Sequence, residues 1–432
     1  MRPVHKALLL AVLLSVMFAL IGAGSCSKEQ ENHAEDVPTL MFWHFWSEPI
    51  HRNVMKAMIE KFEQENHCRV QVTELSWGDG KTKLLAAFNA NTAPDVLELG
   101  SDWVAQFSHG GVLRNLSRDG FTLARFAPFA APASMYNGSI YALPWTVDTR
   151  VLYYNKDLLR KAGLGETPPA TFDAMFTACE KIRALGIDGV YGFGVNGSDE
   201  HRLYKKILSF FWSAGGDVFD AQGRPVLNTP RNVAALEAYI SLARCGFVET
   251  QRQLDNMFLR GNLGFVVSGS WLLDKIEKEN PTLNFSTSVV PAITTNTAHA
   301  LNPDSLHVSF AGVQYVAMNA KSPHPELAKK FIRYLTDGKT TLNFCKTSNE
   351  TGFPADKNYM NDPYFAAFPH RQTFAKQLAT AKMTPVHPQW LDIEKIIEEA
   401  AVEALIGRRT AQDALDAAQL QVADLLAHKR PL

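Results

Sequence analysis

Between Leu40 and Gly110 the chain alternates strand-length apolar runs with helix-period segments, and after Asn155 the same alternation starts again. No other feature narrows the possible folds as much. Leu40–Trp46 is an apolar, aromatic run, and Val54–Glu65 places Met55, Met58, Ile59 and Phe62 on one helical face. Arg69–Leu75 alternates as a strand, Lys81–Asn89 reads as a short amphipathic helix, and Pro94–Leu99 as a third strand. A helix over Trp103–Gly110 then stops at Gly110-Gly111. Strands separated by helices predict a parallel sheet with right-handed crossovers. In the second block Thr171 caps a helix over Phe172–Leu185, followed by a strand at Gly189–Val195 and helices at Glu200–Ala214 and Asn232–Gly246. Phe265–Ser268, Ser286–Pro291 and Val313–Met318 read as strands. Trp271–Glu279, Pro325–Thr336, Ile393–Leu405 and Thr410–Leu426 read as helices, and Thr294–Asp304 as a polar linker. A chain of 432 residues is long enough for two α/β cores.

The first residues read as a targeting segment. Arg2, His5 and Lys6 precede an apolar run over Ala7–Ile21, which is short for a membrane span and flanked like a signal peptide. Gly22-Ala23-Gly24-Ser25 leads into Cys26 and resembles the lipobox of bacterial lipoproteins, although Ala23 stands where Leu is usual. That resemblance implies a leader over 1–25, acylation of Cys26 and a lipid anchor on the periplasmic side of the envelope, with two acyl chains giving stable attachment. Residues 26–37 are polar and read as a flexible tether. The formal net charge of −1 carries no basic stripe, which argues against nucleic acid. Cys68, Cys179, Cys245 and Cys345 are scattered without metal or redox spacing, and each reads as a buried, unpaired hydrophobe.

The segment Gly138–Asn155, GSIYALPWTVDTRVLYYN, runs into Lys156-Asp157-Leu158 and then Pro168-Pro169-Ala170-Thr171-Phe172. It resembles the first interlobe crossing of extracellular solute-binding protein family 1, the maltose-binding-protein-like lipoproteins that serve sugar importers. Further blocks fit in the same order: Pro94-Asp95-Val96 to Gly111-Val112-Leu113, Met257–Gly261 to Gly269-Ser270-Trp271, Gly312–Asn319, Pro325–Tyr334 and Gly407–Leu415. The resemblance implies a two-lobed α/β periplasmic-binding-protein fold (type II-like), each lobe an α/β sheet sandwich. Residues 38–147 and 294–348 would form lobe 1, and 148–293 and 349–432 lobe 2. Crossings would fall near Asp148, Pro291–Thr297 and Lys346–Gly352. It also implies a monomer that captures a sugar and hands it to an inner-membrane permease driven by ATPase subunits, with no cofactor, metal or catalysis.

Ligands of open α/β sheets bind beyond the carboxyl ends of strands, and the loops there are rich in Trp, Asp, Glu and Ser. Sugar C–H faces stack on aromatic rings, while hydroxyls need directed acceptors, carboxylates being the strongest. Trp271, at the family's Gly-x-Trp position, is the leading platform, followed by Trp77, Trp103, Trp145, Trp46 and Trp212, the alternative for each being core packing. Asp102 and Asp148 are the candidate hydroxyl acceptors, the alternatives being a helix cap for Asp102 and a salt bridge to Arg150 for Asp148. Glu48, Gly312, Gln314 and Arg371 complete the expected site.

Rival readings remain distinct. A glycerophosphate or polyol ligand would need convergent Lys or Arg, and a macromolecule-binding surface lipoprotein would place its aromatics on outer faces. A glycan-cleaving enzyme would need a carboxylate pair such as Asp102 and Asp148 at hydrolase spacing. Gly192–Gly197 fits a dinucleotide fingerprint, but Asp217 follows Gly215-Gly216 in a loop where the fingerprint needs the end of a second strand. Gly80-Lys81-Thr82 and Gly338-Lys339-Thr340 lack the first glycine of a P-loop, and the 13 histidines include no HExxH.

Overall fold

The computed structural model describes residues 37–197, 199–293 and 307–428. The leader, Cys26, the tether up to residue 36 and the polar linker at 294–304 lie outside the described residues.

From Thr39 onward the chain forms one compact unit built on two sheets. The first block runs β1 (Thr39–His44), α1 (Pro49–Asn66), β2 (Arg69–Glu74), α2 (Gly80–Asn89), β3 (Val96–Gly100) and α3 (Val104–His109). Its three strands are parallel, β1 lying between β2 and β3, as the helix-separated pattern predicts. A small hairpin of β4 (Met135–Tyr136) and β5 (Ser139–Ile140) follows, then β6 (Ala142–Thr149) and β7 (Val151–Asn155). β6 belongs to the first sheet and β7 to the second, and Arg150 is the single residue between them.

The second block continues with α4 (Lys156–Lys161), α5 (Phe172–Arg183), β8 (Tyr191–Asn196), α6 (Leu203–Ser213), α7 (Pro230–Cys245), β9 (Phe247–Glu249) and α8 (Gln251–Leu259). Then come β10 (Leu263–Ser268), α9 (Trp271–Glu279) and β11 (Phe285–Ser288). Thr171 accepts a hydrogen bond from Ala174 N and so caps α5, and Thr229 caps α7 in the same way. The sheet order is β11-β7-β10-β8-β9. β8, β9 and β10 are parallel, whereas β7 and β11 are antiparallel to their neighbours.

The chain returns to the first sheet at β12 (Ala311–Met318), which lies antiparallel between β3 and β6. The helices α10 (Pro325–Leu335) and α11 (Gly338–Cys345) follow, and then β13 (Phe353–Pro354). β13 still pairs with β6 in the first sheet, Phe353 opposite Val147, so the last transfer comes after Pro354 and beyond the expected Lys346–Gly352. The parallel arrangement therefore holds inside each block and fails at the crossings. The chain closes with α12 (Pro363–Ala366), α13 (Pro369–Leu378), α14 (Trp390–Leu405) and α15 (Ala411–Ala427), the last two packed on α6 and α7.

Two apolar cores result. One fills the first sheet and continues across Tyr153, Phe258, Leu272 and Phe374 onto one face of the second sheet. The other, around Phe193, Phe211, Leu236, Trp390 and Ile397, fills the opposite face. Cys179 on α5 and Cys245 at the end of α7 meet in the second core as a disulfide, with Cα atoms 5.8 Å apart. This corrects the expectation of four unpaired cysteines. Both helices pack on β8, which brings together two positions that no local spacing relates. Cys68 and Cys345 are buried thiols.

Candidate functional site

The carboxyl ends of β1 to β3 gather an aromatic shelf. Trp77 is 39 % exposed, and its ring stacks on Phe45 at 4.2 Å between centroids and 20° between planes. Trp103 packs edge-on against Phe45 at 5.5 Å and tilted against Trp77 at 5.6 Å. Gly100 is what lets Asp102 approach this shelf: a Cβ there would stand 2.7 Å from Asp102 Oδ1 and 3.7 Å from the Trp77 ring. A carboxylate beside a partly exposed indole face is the pairing that a sugar ring requires.

Beneath the shelf, Phe45 N donates to Glu98 Oε2 at 2.8 Å. Glu98 is fully buried, and burial pushes its carboxyl up to about 8. The folded chain therefore holds this proton between about pH 4.5 and 8, while the unfolded chain has released it. Its contribution to stability is complete below the lower value and is lost as pH rises to the upper one. A Glu98→Gln variant keeps an acceptor for Phe45 and is expected to lose this slope. Chemical unfolding at a series of pH values checks it, and an unchanged slope would count against the assignment.

The facing wall comes from the second block. Tyr204, in the first turn of α6, donates its hydroxyl to Asp102 Oδ2 at 3.0 Å and so joins the two blocks directly. The α6 end is anchored by Glu398, which accepts from Tyr204 N at 3.1 Å and His201 N at 3.0 Å, while His201 Nδ1 is hydrogen-bonded to Glu394 at 2.7 Å. That hydrogen bond raises the His201 imidazole above its ordinary value. Lys81 faces the same group from the first block, its ammonium 5.7 Å from the Trp103 ring and pushed down to about 8 by burial.

Deeper in the junction lies Trp271. A Cβ on Gly269 would overlap its ring, so glycine is required there. Trp271 Nε1 donates to Asp255 Oδ2 at 2.8 Å, and Asp255 Oδ1 accepts from Gln251 Nε2 at 2.8 Å and Ser268 Oγ at 2.9 Å. Burial holds the Asp255 carboxyl above its ordinary range and pushes the neighbouring Lys206 ammonium down to about 7. The Arg150 guanidinium lies 4.5 Å from the Trp271 ring centroid and pairs with Asp148 Oδ2 at 2.6 Å. Asp148 Oδ1 accepts from Ser270 Oγ at 3.2 Å. Lys206 and Gln251 also line a cavity behind this group, with Phe193, Asn196, Tyr239 and Val267.

The other expected residues are placed as follows. Trp145 is 1 % exposed and stacks on Phe344 at 5.2 Å, and Trp46 packs edge-on against both. Trp212 is buried with its Nε1 on Asp217 at 3.0 Å. Arg371 is buried and spends its donors on the loop at 345–352. Glu48 is exposed beside α1. Gly312 pairs with Asp148, and Gln314 with Thr146 and Gly100, along β12. The structure thus gathers Trp77, Trp103 and Asp102 with one another, and Trp271 with Asp148. Tyr204, Asp255, Lys81, Lys205 and Lys206 were not anticipated. In the sequence Lys81 reads only as part of an incomplete P-loop, and no local motif marks the other four.

Among the described residues no group of three or more His, Cys, Asp or Glu side chains could hold a metal ion.

Two α/β lobes joined by strands that pass between sheets, with polar and aromatic groups at the junction, define the periplasmic-binding-protein class. The chain belongs to the bacterial extracellular solute-binding protein family, whose model matches residues 57–373. It is 28 % identical over 371 residues to a Brucella abortus protein described in general terms as a binding protein, covering 83 % of this chain and 85 % of that one. It is 23 % identical over 422 residues to the maltodextrin-binding protein MdxE of Bacillus subtilis, covering 94 % and 95 %. Among solved structures, the GacH receptor of Streptomyces glaucescens, determined unliganded and with acarbose, superposes with a TM-score of 0.79 at 22 % identity, covering 91 % and 100 %. A Thermotoga lettingae solute-binding protein bound with α-D-tagatose gives 0.78 at 24 %, covering 90 % and 100 %.

Proposed function

We propose that the chain captures a carbohydrate at the junction between its sheets and delivers it to a membrane permease worked by ATPase subunits on other chains. The observation that carries this reading is the pairing of the exposed Trp77 face with the Asp102 carboxylate, itself reached by Tyr204 from the facing wall. The ring supplies an apolar stacking surface, and the carboxylate an acceptor for hydroxyls. Relatives named for maltodextrin and galactooligosaccharide binding support the ligand class. Trp271 and Asp148 would extend the site toward the second sheet, and Gly312 and Gln314 would border it. A ligand touching both walls favours the closed arrangement, because only that state offers both sets of contacts. The protein would act as a monomer, without catalysis, anchored through acylated Cys26 on the periplasmic side.

Calorimetric titration with sugars and oligosaccharides tests the reading. Trp77→Ala is expected to weaken the binding sugar roughly tenfold to a hundredfold, because it removes the stacking face. Asp102→Asn is expected to weaken it about tenfold through loss of a charged acceptor. Affinities unchanged in both variants would remove the site from this wall.

A further inference from the structure

Arg150 is the only residue between β6 and β7, so its backbone lies where the chain passes from one sheet to the other. Its side chain turns onto Trp271, with the guanidinium 4.5 Å from the ring centroid. The guanidinium thus occupies space above a face that a neutral sugar would need. It is only 16 % exposed, and Nη1 alone makes its protein hydrogen bonds, to Asp148 Oδ2 and to Thr149 O at 3.0 Å. Nε and Nη2 form no hydrogen bond with any described residue. They make up a free edge of the planar fork whose geometry matches a carboxylate or phosphate.

Arg150 is not alone. Its guanidinium and the Lys205 ammonium approach the same Phe310 ring, at 5.9 and 5.2 Å. Lys206, the next residue, donates to Val267 O at 2.7 Å, and the positive charge of Arg150 acts on it. Neither lysine forms an ion pair with a described residue. Asp148 is committed to Arg150, Ser270 and Thr149 N, and Asp255 to Trp271, Gln251 and Ser268. On the far side Asp102 is engaged by Tyr204, and Glu394 by His201. Arg150 and Lys205 thus both reach the Phe310 ring with donors that bond no described residue, while the nearby acids already accept hydrogen bonds from other groups.

We propose that the ligand is an acidic carbohydrate, whose carboxylate or phosphate is grasped by the free edge of Arg150 with Lys205 beside it, while its neutral ring stacks on Trp77. This rests on the carbohydrate reading above and adds the charge of the substrate. A guanidinium at the crossing also makes recognition of the anion sensitive to the angle between the lobes.

The test is titration calorimetry of the purified full-length protein with matched sets: galactose, galacturonate and galactose 6-phosphate, then the glucose equivalents, each also as the terminal unit of a disaccharide. An acidic member is expected to bind roughly tenfold to a hundredfold tighter than its neutral partner. Arg150→Gln is expected to abolish that advantage, and Lys205→Gln to reduce it. Whether the uronate or the phosphate gains more identifies the anion. Neutral sugars binding as tightly as their acidic partners would overturn the proposal and leave the carbohydrate reading standing. An advantage that survives in both variants, each checked for cooperative unfolding, would overturn the role of this cluster. No binding by any member of either set would reject the carbohydrate reading and this inference with it.

Discussion

Replacing Arg371 with methionine is expected to cost about 3–5 kcal/mol of folding free energy, because one substitution strands several buried hydrogen-bond acceptors at once. Arg371 on α13 is 4 % exposed, and its guanidinium holds the loop after α11 from four sides. Nε donates to Asn349 Oδ1 at 2.8 Å and Nη2 to Ser348 O at 2.6 Å. Nη1 lies between Cys345 O and Gly352 O, both at 3.4 Å. Tyr364 and Phe365 flank the group at 5.3 Å each. Methionine fills much of the volume but leaves buried carbonyls without donors, at about 1–3 kcal/mol for each group stranded.

The loss would spread to the junction. Ser348 Oγ is bonded to His51 at 2.8 Å, and Asn349 N and Nδ2 donate to Asp274 on α9 in the second block. Arg371 therefore acts on the site by shaping the loop that Asp274 holds. Urea unfolding of both proteins measures the effect, and a midpoint within error of the parent would refute the assignment. Arg371→Lys is expected to recover only part of the loss, since one ammonium cannot reach acceptors arranged for a planar fork.

Reduction of the Cys179–Cys245 disulfide, or its replacement by two alanines, is expected to lower stability by about 4 kcal/mol. The bond closes a loop with a sequence separation of 66 residues, and loop-closure entropy in the unfolded chain sets that magnitude. The bond ties α5 to α7 on β8, so the second sheet should loosen before the first. Denaturant unfolding with and without reductant gives the total, and hydrogen exchange gives its location. Equal midpoints in the two conditions would mean that the second core alone holds these helices. Because the disulfide lies in the second core whereas Trp77 stacks on Phe45 of the first, sugar affinity in the folded, reduced protein should change little. Such bonds persist in oxidising compartments, which agrees with an extracellular family.

Legibility differed sharply between the walls of the candidate site. Trp77, Trp103 and Asp102 were visible because each stands at the end of a strand whose alternation marks it, and the carboxyl ends of parallel strands share one edge. Trp145 and Trp46 also follow apolar runs in the sequence but turn inward onto Phe344, a residue of α11 distant from both in the chain. Which rotamer a tryptophan adopts depends on what packs beside it, and strand periodicity carries no information about that. Arg371 was legible as a cation but not as a buried one, because the carbonyls it satisfies lie on another segment.

The sequence by itself determined the two α/β blocks and the capped helix start at Thr171, since local periodicity and turn chemistry act over a few residues, and its ordered motif blocks carried the resemblance to the family. Only the tertiary structure decided that β7 and β12 run antiparallel, that Cys179 meets Cys245, and that Tyr204 reaches Asp102. It also decided that Arg150 covers Trp271 with Lys205 and Lys206 nearby. Each of these depends on segments distant in the chain being pressed together by burial of the two cores. The free energy of such contacts belongs to pairs of elements, and no single stretch of sequence records it.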